Sequence, residues 1–129
     1  FPAGDENVEF NKHVTGESYL APISLDQVKV FNVTFEPGCR NFWHIHSASN
    51  GGGQILICVG GLGYYQEEVK EAIKLQPGDV INIKAGVKHW HGARKGSYFS
   101  HLAIEVPGEN TSTTWCEEVS DEEYSKLED

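Results

Sequence analysis

Gly38-Cys39-Arg40-Asn41-Phe42-Trp43-His44-Ile45-His46 is answered further along the chain by Gly86-Val87-Lys88-His89-Trp90-His91, and the two segments carry four of its six histidines. Residues i and i+2 of a strand point to one face, so His44 is expected beside His46, and His89 beside His91. Each pair follows a glycine turn, Pro37-Gly38 in the first case and Ala85-Gly86 in the second. Paired imidazoles on two short strands are one way for a β-barrel to build a metal site. Neutral imidazole suits Mn, Fe, Co, Ni, Cu and Zn, so ligand type leaves the metal open. A fourth ligand is needed, and Gln54 opens the next apolar run.

Outward from these motifs, short apolar segments alternate with Gly and Pro, the pattern of an all-β sandwich or barrel. Strands are expected at Val28 to Phe35, Phe42 to His46, Gln54 to Val59, Gly63 to Glu67, Val80 to Ile83, Lys88 to Ala93 and Tyr98 to Val106. Turns fall at Glu36-Pro37-Gly38, Gly60-Gly61, Gln76-Pro77-Gly78-Asp79, Lys84-Ala85-Gly86 and Arg94-Lys95-Gly96. Ser120 with Glu123 three residues later is a capping box, so a short helix is expected within residues 120–127, running from Glu122 to Leu127. The first twenty residues scatter Phe1, Val8, Phe10, Tyr19 and Leu20 among polar neighbours. They read as an arm that needs a surface to pack on, for which a second copy in a homodimer is one candidate.

The 129 residues suit a single domain, 1–129, around one core. A formal charge of −9 without a basic cluster argues against nucleic acid and anionic membrane as partners. No apolar run approaches the roughly 18 residues that span a bilayer. Cys39, Cys58 and Cys116 form no CxxC and no even set, which fits a reducing cytoplasmic compartment better than a disulfide framework. Cys58, in an apolar run, reads as a small buried hydrophobe. The acidic tail from Glu117 to Asp129 reads as solvated surface.

The spacing Gly38-x5-His44-x-His46 followed by Gln54-x5-Gly60 resembles the first cupin motif, and Gly78-x5-Lys84-x-Gly86-x2-His89 resembles the second. Cupins are small antiparallel jelly-roll barrels, double-stranded β-helices that enclose a metal or ligand. The match spans about Val28 to Val106. Within the superfamily the chain is most similar to small bacterial cupins that include manganese-dependent hydroxynitrile lyases, also found fused to carboxymuconolactone decarboxylase-like domains. The matching pieces are Val33-Thr34-Phe35-Glu36-Pro37-Gly38, Trp43-His44-x-His46, Gln54, Pro77-Gly78-Asp79-Val80, Lys88-His89-Trp90-His91-Gly92-Ala93 and Ser100-His101-Leu102-Ala103-Ile104. The resemblance implies that His44, His46, Gln54 and His89 bind a divalent metal, manganese first. It also implies that His101 is the acid-base residue with His91 close by, and that the partner is a small-molecule substrate. Two departures stand out. Ser47 to Gly53 is longer than the usual cupin spacer, and Glu105 stands where lyase-type sequences, as the resemblance suggests, carry glutamine.

Gln54 in place of the Glu of most cupins removes a negative charge from the ligand set. Three imidazoles and an amide leave a divalent cation uncompensated and so favour Lewis-acid chemistry. His101 shares strand parity with Phe99, Ala103 and Glu105, which puts His101 and Glu105 in the cavity if that face is the interior. An imidazole there can take and return a substrate proton. The plainer alternatives are a stacked core histidine for His101, a rim carboxylate for Glu105 and an orienting residue for His91. Phe31, Phe35, Phe42, Trp43, Trp90 and Phe99 read mostly as core, with those on the histidine face lining an apolar pocket. The expected function is lyase-type chemistry on a small hydroxy or carbonyl compound. A metal-dependent dioxygenase or decarboxylase and a non-catalytic binding barrel are the rivals.

Overall fold

Strand formation follows the alternation of the sequence. In Phe99–Glu105, Phe99, His101 and Ala103 are buried while Ser100, Leu102 and Ile104 are half-buried on the other face. In Gln54–Gly61, Leu56 and Cys58 face inward in the same way. The computed structural model describes residues 1–127, apart from the side chain of Phe10. The Phe10 side chain, counted above with the arm, and Glu128 and Asp129 of the acidic tail lie outside the described residues.

Two antiparallel sheets share one core. The first has six strands in the order Asp5–Glu6, Ser18–Ser24, Val30–Phe35, Phe99–Glu105, Gln54–Gly61 and Val80–Ile83. The second orders Ile73–Leu75, Gly63–Glu67, Lys88–Ala93, Arg40–Asn41 and Val14–Thr15. His44–Ser47 also pairs with Lys88–Ala93, and Ser112–Trp115 pairs with His44–Ser47. Val33, Phe35, Leu56, Cys58 and Phe99 from the first sheet pack on Tyr65, Leu75 and Ala93 from the second. This is the expected jelly-roll β fold with one short C-terminal helix. Among the described residues no helix is long and apolar enough to cross a membrane.

Several boundaries differ from expectation for identifiable reasons. The segment expected as one strand from Phe42 to His46 is split into Arg40–Asn41 and His44–Ser47. Phe42 N–H donates to His13 O (2.8 Å) and Trp43 N–H to Glu117 O (2.9 Å), outside the ladder. Val28 to Phe35 begins at Val30, Tyr98 to Val106 contracts to Phe99–Glu105, and the strand from Gln54 extends to Gly61. Ser18–Ser24, Ile73–Leu75 and Ser112–Trp115 were not foreseen. The first contains Pro22, the second is three residues long and the third is polar.

The arm packs on its own barrel. Asp5–Glu6 pairs with Tyr19 and Leu20, and a 3-10 turn, Phe10–His13, follows. Asn11 Oδ1 accepts from Ser18 N–H (3.0 Å) and Ser18 Oγ–H (2.6 Å), which anchors that turn to the first long strand. Phe1 and Val8 of the arm nevertheless remain exposed.

The acidic tail is not simply solvated. The helix spans Asp121–Ser125, beginning one residue before the expected Glu122, and the capping box is formed. Tyr124 and Val119 are buried with Trp43, Tyr64 and Trp90 in a second apolar cluster outside the barrel. Arg40 lies 4.3 Å from the Tyr124 ring centre, donates to Val119 O (3.1 Å) and pairs with Asp121. Trp43, between two strands, and Trp90, on the face of its strand away from His89 and His91, belong to this cluster.

Candidate metal centre

His44 and His89 are cross-strand partners, and His46 stands two residues beyond His44 on the same face. Their donor nitrogens all lie within 4.8 Å of one another. His44 Nδ1–H donates to Phe42 O (2.8 Å) and His89 Nδ1–H to Val87 O (2.9 Å). A carbonyl can only accept, so in both rings the proton sits on Nδ1 and the Nε2 lone pair is left for another partner. His46 Nδ1 is 3.2 Å from Thr113 Oγ1. Nε2 of His46 and Nε2 of His89 are buried with no hydrogen-bond partner. Buried polar atoms are almost always satisfied, and two such atoms converging in one triad fit metal ligation. The three imidazoles form a cluster that could hold a metal ion.

Burial keeps these rings neutral. It pushes His89 down to about 4, lowers His46, and together with the neighbouring His89 takes His44 well below the ordinary imidazole value. A ring that resists protonation keeps its lone pair available at neutral pH.

Gln54 lines the same cavity, and its Oε1 is also buried without a partner. The spacer before it is long but anchored. Asn50–Gly51 pairs with Gly108–Glu109, Ser49 N–H donates to Glu109 O (2.9 Å) and Gly52 N–H to Pro107 O (3.1 Å). Gly53 adopts φ +95°, and a Cβ there would stand 2.4 Å from Ile83 O, so glycine is required for the entry into the strand.

His101 and His91 form a second pair beside the triad, with ring centres 4.7 Å apart in a T-shaped contact. His101 Nδ1–H donates to Leu102 O (3.2 Å), and its Nε2 is another buried atom without a partner. Burial pushes His101 down to about 4 and takes His91 well below the ordinary value, helped by the nearby His101. Asn41 clamps His91: its Oδ1 accepts from the His91 backbone N–H (2.9 Å) and its Nδ2–H donates to the ring Nε2 (3.1 Å). Phe35 stacks on His91 at 5.7 Å between centres. Glu105, the Cα partner of Gln54, is exposed at the rim while lining the cavity.

The cavity has a volume of about 430 Å³. Leu20, Phe31, Val33 and Ala103 supply its apolar wall, and His44, His46, Gln54, His91 and His101 line it with Glu105. Of the aromatics expected there, Phe31 lines it. Trp115 and His13, which the sequence analysis did not single out, complete the wall. The two rings stack in parallel at 4.3 Å, and Trp115 also lies 4.7 Å from His44. Trp115 is the Cα partner of His44, and that pairing is the signal which could have located it.

No family model matches the chain. A mandelonitrile lyase, described as (R)-mandelonitrile lyase, from Granulicella tundricola is 41% identical over 95 residues, covering 74% of this chain and 70% of the relative. The crystal structure of a cupin-like protein from Thermotoga maritima superposes with TM-score 0.81 at 34% identity, over 98% of this chain and 94% of that one. The chain is a cupin. A cupin-2 domain from Rhodospirillum rubrum shares this cupin's fold with TM-score 0.62 at 11% identity, over 89% of this chain and 71% of the other. Membership agrees with the histidine triad, since the cupin barrel is built to enclose a ligand.

Proposed function

We propose that this cupin binds a divalent transition metal, manganese first, through His44, His46, His89 and Gln54, and that it cleaves or forms cyanohydrins with His101 as the proton carrier. The observation that carries the reading is the convergence of four buried, unpartnered atoms in and beside one cavity: Nε2 of His46, His89 and His101, and Oε1 of Gln54. The similarity to a mandelonitrile lyase supports the same class of substrate.

A divalent cation bound by three imidazoles and an amide supplies Lewis acidity toward a substrate oxygen. The chain's own residues supply the proton transfers. With its Nδ1–H held by Leu102 O, neutral His101 presents Nε2 as an acceptor for the cyanohydrin hydroxyl proton. As that proton leaves, the carbonyl forms, the bond to the nitrile carbon breaks and its electron pair departs with cyanide. His101 then returns the proton, giving hydrogen cyanide. His91, fixed by Asn41 and packed against His101, holds the acceptor ring in place. Leu20, Phe31 and Val33 exclude water from the substrate body.

Elemental analysis of the purified protein and of Gln54→Ala, with mandelonitrile cleavage by His101→Ala, tests this reading. Near-stoichiometric metal that falls in the glutamine variant, with cleavage lost in the histidine variant, is expected. A protein that stays empty after reconstitution, or a His101→Ala enzyme with full cleavage, would sink it. Oxygen uptake during turnover would move the assignment to a dioxygenase.

A further inference from the structure

Beside the histidine cavity lies a second cavity of about 390 Å³. His46, Glu105 and Thr113 line both, so the two adjoin across those side chains. The second is walled by Lys29, Gln27, Ser47, Thr111 and Ser112. Lys29 is its only lysine or arginine, while the histidine cavity is lined by neither. Lys12, Lys70, Lys88 and Lys126 are all paired with carboxylates. Among the described residues Lys29 has no ion pair, although the chain carries a net charge of −9.

Backbone register places this lysine relative to the histidines. Glu105 is the Cα partner of Gln54, and its N–H donates to Lys29 O (3.0 Å), so Lys29, one residue before the strand Val30–Phe35, lies beside Glu105, and Glu105 beside Gln54. Neighbouring backbones are about 4.8 Å apart, which puts the Lys29 backbone about 10 Å from that of Gln54. Glu105 stands between them with its carboxylate at the rim. That carboxylate lines both cavities, so Lys29 and the serine and threonine hydroxyls are the groups that favour an anion in the annex.

We infer that this annex receives the anionic end of a bifunctional substrate, a carboxylate-class group paired with Lys29, while its hydroxyl or carbonyl end enters the adjoining histidine cavity. The inference rests on the proposed reading of the histidine cavity as the reacting centre, and it narrows the substrate class to hydroxy or carbonyl acids. Ser47, Thr111 and Ser112 add hydroxyl donors around the carboxylate.

Isothermal titration calorimetry on the full chain reconstituted with manganese, using benzyl alcohol and 4-(hydroxymethyl)benzoate as probes, tests it. The carboxylated probe is expected to bind at least about tenfold more tightly, the worth of one charge-assisted hydrogen bond. Lys29→Ala should abolish that difference without changing benzyl alcohol binding, and Lys29→Arg should restore most of it. Lys84→Ala, which removes an equal charge outside the annex, should change neither probe. A carboxylated probe that binds no more tightly than benzyl alcohol, or an equal loss in the Lys29 and Lys84 variants, overturns the inference. Metal content and mandelonitrile cleavage are read on the same preparations. Failure of the metal or lyase reading appears there, and failure of the annex appears in the probe comparison.

Discussion

Replacing His101 with leucine separates a catalytic histidine from a packing histidine, because the two roles carry opposite stability changes. His101 is 1% exposed, and its Nε2 has no partner. Leaving such an atom buried costs about 1–3 kcal/mol. Leucine is of similar volume and removes that cost, but it forfeits the Nδ1–H bond to Leu102 O at 3.2 Å, worth about 1 kcal/mol. The balance at pH 7 is a gain of about 0–2 kcal/mol, or up to about 8 °C in Tm for a chain of this size. Acid widens the gap. Unfolded His101 takes a proton near 6.5 and the folded ring only near 4, so the stability tied to its neutral form is complete above pH 6.5 and lost as pH falls toward 4. Leucine has no such loss, so at pH 5.5 its advantage grows by about a further 1 kcal/mol. Calorimetric scans of the metal-free proteins at pH 7 and 5.5 measure the stability, and a mandelonitrile assay measures the accompanying loss of activity, about 10²-fold or more. A leucine variant less stable than the parent by over about 1 kcal/mol and still active would refute the reasoning, since that is the behaviour of a well-satisfied core residue.

The metal site makes its own demands. His44→Ala and His89→Ala should remain folded by circular dichroism while metal affinity falls by at least about a hundredfold, and full retention in both would remove the triad from consideration. Manganese at one hundred times its Kd should stabilise the parent by about 2.7 kcal/mol, an effect reversed by chelator and absent from His89→Ala. At the mouth, His13→Ala removes a stacking partner of Trp115 and should raise KM by up to about tenfold with kcat nearly unchanged. A loss confined to kcat would contradict that assignment. The outer face of the six-stranded sheet presents half-buried Val30, Ile55, Ile57, Leu102 and Ile104 with exposed Val80. We expect it to pair two copies, so that sedimentation finds a dimer for the parent and a monomer for Ile57→Lys; a monomeric parent would end that expectation.

The cavity was legible where local pattern and tertiary position coincide. Both His-x-His pairs project to one side of short strands, Gln54 opens the next one, and Phe99, His101 and Ala103 bury a common face as parity requires. The capping box at Ser120 is local chemistry and was equally readable. His13 and Trp115 were not, because nothing near either in the chain marks it. They meet the triad through the cross-strand register of Trp115 with His44 and the turn that delivers His13. Asn41 sits inside the quoted motif, yet its task depends on His91, fifty residues away. The tail misled for the related reason that its many charges mask two buried residues, Val119 and Tyr124, whose dock is assembled from Trp43, Tyr64 and Trp90.

The strand carrying Gln54 contains an irregularity that decides more than its own shape. Ser100 pairs with Gly60 and His101 with Cys58, so Val59 is an unmatched extra residue, a β-bulge. Removing one residue from a strand exchanges its two faces. A chain lacking Val59 would keep either Gln54 at its cavity position or Gly60 and Gly61 against Tyr98, but not both in the present alignment. For anyone transplanting this chemistry into another barrel, the transferable unit is therefore the paired segment with its additional residue. A graft of the histidines and glutamine onto a regular strand would place the same side chains in the sequence and a different set of atoms in the cavity.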